Sequence, residues 1–357
     1  MRFKQDLNKQ ILRFWENYFA QPKKVTGVVI TIFGTVGLII ILNFMFYLLN
    51  HNTGIGSNVR KWDSLLNLSH PVETIVLGDS SGDQGVLPDI IEEKLGGSVI
   101  NLATRGNFAP LYNGWMVNTY VKKFGAPRDV ILVCTALTYA MNASLDCVNQ
   151  IPLPWGFWEN MEPKPSWIYD RNVMLLIFVD RYFPLYSQKL EISGILQTPG
   201  MPRIYQVLLD RIAMGKIEGV YVNPDPVGLA ADSQSMLKAI REKPFELSSD
   251  NERSLYTIIN LAKQYNFKVY LVNSPIYEQV YNDPSYKIYF DKFSNDITKY
   301  IDNKTTFLLF KRPMTFTNLQ MQNPNHLIYS AAQIYTSTIA SEILNIQVNN
   351  SDTLLTQ

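Results

Sequence analysis

From Val25 to Leu49 the chain is apolar at almost every position, interrupted only by small or weakly polar residues and by Asn43. At 1.5 Å rise per residue, a helix of roughly 25 residues reaches about 37 Å, more than the ~30 Å hydrocarbon core of a bilayer. No Ala-x-Ala-like site follows the run, and it exceeds the roughly 7–15 residues of a signal-peptide apolar region. The pattern therefore predicts an uncleaved signal anchor over residues 25–49, and a buried soluble helix of this length and uniformity is disfavoured. Arg2, Lys4, Lys9, Arg13, Lys23 and Lys24 precede it, whereas no Lys or Arg follows until Arg60. Positive charge stays inside, so a cytoplasmic N-terminus and an extracytoplasmic (periplasmic-side) remainder are expected at the plasma (inner) membrane. Within residues 1–24, Ile11, Leu12, Phe14, Trp15, Tyr18 and Phe19 line one side of an amphipathic helix, which suits the inner leaflet or a partner protein equally. The Asn/Gly/Ser-rich stretch 51–58 reads as flexible, and a tether is expected over 50–70.

Beyond it the period changes. Val72–Leu77 is a short β-branched run that ends abruptly in Gly78-Asp79-Ser80-Ser81, the pattern of a buried strand and a tight turn. Helical spacing follows over Gln84–Leu95, closed by Gly96-Gly97. A strand over Ser98–Ala103, a helix over Pro110–Phe124 and a strand over Asp129–Thr135 come next. Strands alternating with helices predict parallel βαβ units with right-handed crossovers. The rhythm breaks between about Thr138 and Pro244 and resumes with a helix at Asn251–Tyr265 and a strand at Lys268–Asn273. Helical material at Asp283–Tyr300, a strand at Thr306–Phe310 and a helix at Tyr329–Leu344 complete the domain, expected over 71–346. A polar, frayed tail is expected over 347–357.

The interruption, about 139–245, is rich in Pro and aromatics, among them Trp155, Phe157, Trp158 and Trp167, with helices near Asn172–Tyr186 and Pro202–Met214. It reads as a helical cap with an aromatic core of its own, as a surface docking on the bilayer or a membrane partner, or as a wall stacking against sugars.

The chain has 357 residues, 46% hydrophobic and 18% charged, with formal net charge +1. That length holds one large domain or two small ones. Near-zero charge argues against a nucleic-acid partner, whose footprint is a basic excess. Cys134 and Cys147 are too few for a disulfide framework or a metal site. Cys134, inside an apolar strand, reads as a buried thiol, with a bridge to Cys147 left open.

A serine just past a strand end presents its hydroxyl at the carboxyl edge of the sheet, where open α/β folds bind ligands. Ser80 occupies that position, with Ser81 a second choice and a helix-capping role the plain alternative. Phosphate cradling by Gly78–Gly82 is disfavoured, since neither Gly-x-Gly-x-x-Gly nor a Walker-type lysine is present. After this strand the chain holds a single histidine, His326, in Asn323-Pro324-Asn325-His326. Ser80 and His326 are the candidate nucleophile and base.

The Gly-Asp-Ser block after a first strand, with a late histidine before a final helix, resembles the SGNH/GDSL hydrolase superfamily. The resemblance covers roughly Val72–Thr138 and Asn251–Leu344. It implies a flavodoxin-like, five-stranded parallel sheet carrying a large insertion, preceded here by one transmembrane helix. It also implies an oxyanion hole built from the amides of Ser80 and Gly106 and an asparagine side chain after the third strand. Asn142 could supply that side chain only if its loop bends back. Asp79, Arg105 and Asn107 are candidate substrate contacts. Asn323 stands where the family has the triad aspartate. A carboxylate-to-amide change in the chymotrypsin-type triad lowers kcat about 10⁴-fold, so a working dyad, slow activity and a degenerate scaffold are all left open. An anchored domain of this type is similar to the accessory proteins of envelope acylation systems, of the D-alanyl-transfer and alginate-acetylation kinds. That implies a serine acyltransferase or esterase acting on acetyl- or D-alanyl-type O-acyl groups of a polysaccharide. A multi-spanning membrane-bound O-acyltransferase is the implied partner, and no cofactor or metal is implied.

Overall fold

A computed structural model describes residues 22–52, 57–149, 151–183, 185 and 225–355. The amphipathic segment expected before residue 22 and the helix expected near Pro202–Met214 lie outside the described residues. The chain divides into two units, residues 1–53 with 178–199 and residues 54–177 with 200–357.

In the first unit, α1 spans Pro22–Asn52, and its stretch Thr26–Met45 is long and apolar enough to cross a membrane. None of that stretch is buried within the protein, and Ile30, Phe33 and Ile40 are exposed. Asn43 is its polar exception, and both ends of the amide are satisfied. Nδ2 donates to the Tyr182 carbonyl at 2.6 Å, and Oδ1 accepts from the Leu185 N–H at 3.4 Å. A paired amide tolerates apolar surroundings at far lower cost than a free one.

The second unit is built on five parallel strands: β1 Thr74–Gly78, β2 Val99–Asn101, β3 Asp129–Cys134, β4 Lys268–Asn273 and β5 Thr306–Leu308. Their order is β2-β1-β3-β4-β5, the flavodoxin-like arrangement with its switch point between β1 and β3. Ile75–Leu77, Val130–Val133 and Val269–Val272 are buried throughout, as a parallel sheet covered on both faces requires.

After β1, α3 (Ser80–Gly85) and α4 (Pro88–Leu95) replace the single helix expected over Gln84–Leu95. Pro88 opens α4 and forces Leu87 into extended backbone, φ −94° and ψ 111°, because the proline ring excludes the helical region from its predecessor. α5 spans Ala109–Phe124 and α6 Ala136–Ala140. Later come α7 Arg171–Tyr182, α8 Pro226–Glu242, α9 Ser249–Tyr265 and α10 Pro284–Thr298. A hairpin of β6 Met321–Asn323 and β7 His326–Leu327 leads into α11, Tyr329–Leu355.

Three expectations are corrected. The tether expected over 50–70 contains a helix, α2 (Ser57–Leu66), which belongs to the second unit's core. Trp62 and Leu65 are fully buried, Trp62 meets Tyr112 edge-on with centroids 5.5 Å apart, and Lys61 pairs with Asp83 at 2.7 Å. Two anchor residues one helical turn apart, dispersed among polar ones, outweigh the polar composition. Trp62→Ala is therefore expected to lower stability by about 3–5 kcal/mol, read as a lower urea midpoint at unchanged slope. The frayed tail is replaced by α11, in which Gln347 Nε2 lies 3.4 Å from both Asp129 Oδ2 and the Tyr270 hydroxyl. Finally, among the described residues the insertion's aromatics pack on the main core and not in one of their own. Phe157 stands edge-on to Trp115 of α5 at 5.9 Å, the Trp115 indole donates to the Pro163 carbonyl at 2.7 Å, and Phe157 and Trp158 join the main apolar cluster.

Candidate active site

β1 ends at Gly78 with φ +136°, and a Cβ there would lie 1.7 Å from the Val133 carbonyl oxygen. Only glycine lets the turn pass this close to β3. Its N–H donates to Asn113 Oδ1 at 3.1 Å, and the next N–H, of Asp79, donates to the Val133 carbonyl at 3.0 Å. Asp79 then caps α3, with Ser80 as the helix's first residue, half-buried at the carboxyl edge of the sheet.

Asp79 is not placed to touch a substrate. It is 1% exposed, and its oxygens are taken up inside the protein. Oδ1 accepts from the Ser81 N–H at 2.9 Å and the Ser81 hydroxyl at 2.5 Å; Oδ2 accepts from the Thr135 N–H at 2.7 Å and the Thr138 hydroxyl at 2.5 Å. The carboxylate thus ties the turn after β1 to the turn after β3. Asp79→Asn places an NH₂ where N–H and O–H donors already point. A loss of about 2–4 kcal/mol is expected, because charge-assisted bonds are lost and buried donors face one another. Thermal unfolding of the variant checks this.

Asn101, at the end of β2, holds α3 from the other side. Its Nδ2 donates to the Gly82 and Val86 carbonyls at 3.1 and 3.0 Å, and Lys61 Nζ donates to its backbone carbonyl at 2.8 Å. The serine turn is therefore held by Asp79, Asn101, Asn113, Thr135 and Thr138. None of the last four stood out in the sequence. Thr135 and Thr138 left one signal, a hydroxyl residue three positions ahead of another just after a strand, the spacing of a helix cap.

The histidine comes from the β6–β7 hairpin, where Asn323 pairs with His326. The turn is fixed internally, since Asn323 Oδ1 accepts from the N–H groups of Asn325 at 3.1 Å and His326 at 3.0 Å. It is fixed externally by the Tyr277 N–H donating to the Pro324 carbonyl at 2.8 Å. Asn323 Nδ2 stands 2.6 Å from His326 Nδ1, and His326 Nε2 stands 2.8 Å from Ser80 Oγ. Ser80, His326 and Asn323 thus form one continuous chain of contacts. Burial holds the His326 imidazole below its ordinary pKa of 6.5, against the opposing pull of Asp79, Asp83 and Asp232. Burial therefore favours the neutral imidazole over the charged form.

Of the other predicted residues, Gly106 lies beside this turn. A Cβ on it would lie 3.0 Å from the Thr138 hydroxyl and 4.0 Å from Asp79 Cβ. Arg105 and Asn107, its neighbours, are exposed. Asn142 does not bend back to the serine: it is exposed, beyond the end of α6. The reason lies in Asn251, whose Nδ2 donates to the carbonyls of Thr138, Tyr139 and Met141 at 2.8, 3.1 and 3.0 Å and draws this segment onto the start of α9. The turn after β3 instead presents Thr135 and Thr138, which bond Asp79. Cys134 and Cys147 are both buried, and neither is in a disulfide. Among the described residues, no group of three or more His, Cys, Asp or Glu is placed to hold a metal ion.

A nucleophile-bearing turn, a neutral imidazole in contact with it and a flanking glycine turn are together suited to acyl chemistry. Comparisons with known proteins add little to this. No family model matches the chain, and no curated protein matches it. The chain is similar to a solved structure titled a "putative platelet activating factor from Streptococcus pneumonia", at 9% identity and a TM-score of 0.36, over 85% of this chain and 98% of that one.

Proposed function

We propose that the chain is a membrane-anchored serine acyltransferase or esterase, with Ser80 as nucleophile and His326 as its proton partner. The observation that carries this reading is the 2.8 Å contact between Ser80 Oγ and His326 Nε2, made by residues 246 positions apart. It lies at the carboxyl edge of a 2-1-3-4-5 parallel sheet, where such sheets bind ligands. Gly106, next to the serine turn, is the candidate second amide of an oxyanion hole. The apolar run in α1 supports an anchor, and the basic flank before it supports an extracytoplasmic active domain. O-acyl groups of an envelope or exported polysaccharide as substrate, and a multi-spanning O-acyltransferase as partner, follow from the resemblance to SGNH-type envelope proteins.

A fluorophosphonate added to the full-length protein in detergent tests the chemistry. An adduct on Ser80, absent from Ser80→Ala, is expected. Absence of any adduct at Ser80 favours a second reading, a catalytically silent scaffold that binds polymer or a membrane partner, which the amide at position 323 recommends.

A further inference from the structure

The amide of Asn323 does more than replace a carboxylate. Two backbone N–H groups, of Asn325 and His326, point at its Oδ1 at 3.1 and 3.0 Å. Backbone N–H groups can only donate, so the atom they meet is the amide oxygen, and the orientation of the side chain is settled by the network itself. The NH₂ end therefore faces His326 Nδ1 at 2.6 Å. An NH₂ can only donate, so Nδ1 must be the unprotonated nitrogen of the neutral ring. The ring proton then sits on Nε2, the nitrogen 2.8 Å from Ser80 Oγ. Turning the amide over to accept a proton from Nδ1 would set its NH₂ against both backbone donors, at roughly 1–3 kcal/mol for each stranded group.

We propose that Asn323 is a positioning residue that keeps the His326 proton on Nε2, making Ser80 an acyl carrier whose ester resists water. This rests on the reading of Ser80 as nucleophile. Acylation lacks the same base, but a donor with a good leaving group lowers its barrier where an alkyl ester on Ser80 does not: the Oγ–acyl carbon bond forms, the bond to the leaving group breaks, and the serine proton passes to solvent or to the departing oxygen. Deacylation by water is different. The attacking water must surrender a proton, and the acceptor normally used, a bare Nε2, is already protonated. Adding a second proton to the ring would have to use Nδ1, which faces an NH₂ donor. Among the described residues, the carboxylates that act on the ring offer no substitute: Asp79 is saturated by its four donors, Asp83 is paired with Lys61, and Asp232, on α8, acts on the ring through its charge. The acyl group therefore waits for an acceptor whose proton is taken by a base brought from outside the Ser80–His326 pair.

The test uses full-length protein in detergent with p-nitrophenyl acetate as donor. The wild-type chain is expected to release a burst approaching one nitrophenolate per chain. Intact mass should show an acetyl group on Ser80 that persists through the slow phase. Asn323→Asp, which gives Nδ1 a proton acceptor, should deacetylate at least about 10²-fold faster and lose the burst, the reverse of the loss that follows the opposite change in the chymotrypsin-type triad. Two measurements on the wild-type chain decide the matter even if the variant fails to fold. Long-range ¹⁵N–¹H NMR should place the His326 proton on Nε2, and the deacetylation rate should rise with hydroxide concentration above neutral pH without levelling off. A proton on Nδ1, a plateau set by the imidazole, or deacetylation in Asn323→Asp within about threefold of wild type overturns the tautomer argument while acylation at Ser80 keeps the functional reading intact. No acetyl group on Ser80 in either chain overturns both.

Discussion

Ser80→Ala is expected to show no acetyl adduct, no fluorophosphonate adduct and no burst of nitrophenolate, with steady ester cleavage at least about 10²-fold below wild type. The magnitude follows from what the residue is asked to do. Every covalent step in the proposed reaction runs through one oxygen, and nucleophile removal in serine enzymes leaves only the contribution of binding and oxyanion stabilisation. Stability should barely move, because among the described side chains Ser80 Oγ makes its hydrogen-bond contact with His326 and the residue is half-buried. Retained melting behaviour with lost chemistry separates this variant from Asp79→Asn, where stability falls first. Wild-type levels of adduct in Ser80→Ala would move the reaction to another nucleophile and end the assignment; Ser81 is a poor substitute, since its hydroxyl is buried and donates to Asp79 at 2.5 Å.

Gly78→Ala carries the largest expected effect on folding. The added methyl would lie 1.7 Å from the Val133 carbonyl oxygen and 2.6 Å from its carbon. Both atoms belong to β3, paired to β1 over its full length. Relief requires the two central strands to separate, which also breaks the Asp79 N–H bond to Val133. A loss of at least about 4 kcal/mol is expected, in the exceptional range for one substitution, enough to unfold a marginally stable domain. Gly96→Ala is the control. Gly96 also has a positive φ, +70° with ψ 159°, but no atom lies within 4 Å of its Cβ position, so only backbone strain of about 1–3 kcal/mol applies. Urea midpoints for the pair decide between crowding and conformation, and equal losses would argue against the close approach.

Most of the sheet could be read from the sequence because its strands are short, β-branched and buried on both faces, a pattern with few other solutions. The strand at Lys268–Asn273 is observed over the same residues, and the others differ by one to three residues at their ends. α2 was harder. Its two burying residues, Trp62 and Leu65, stand among Asn, Arg, Lys, Asp and Ser, and nothing local announces that they reach Tyr112. The site divides in the same way. Ser80 and His326 were readable because each sits at a signalled boundary, a strand end and a helix start. Asp79 and Asn142 were misplaced for a common reason: polarity in sequence does not distinguish a group that faces solvent from one consumed by buried donors, or by a neighbour such as Asn251 that redirects the chain.

The sequence by itself determined the apolar run Thr26–Met45, the alternation of strands and helices, and the identity of the alcohol, imidazole and amide concerned, since these depend on local composition and periodicity. Tertiary structure alone decided that Ser80 and His326 meet at 2.8 Å, and which end of the Asn323 amide faces the ring. The first is a matter of strand order, and the second of two backbone N–H groups in a four-residue turn. Such directional contacts depend on how the chain closes, which no run of neighbouring residues encodes.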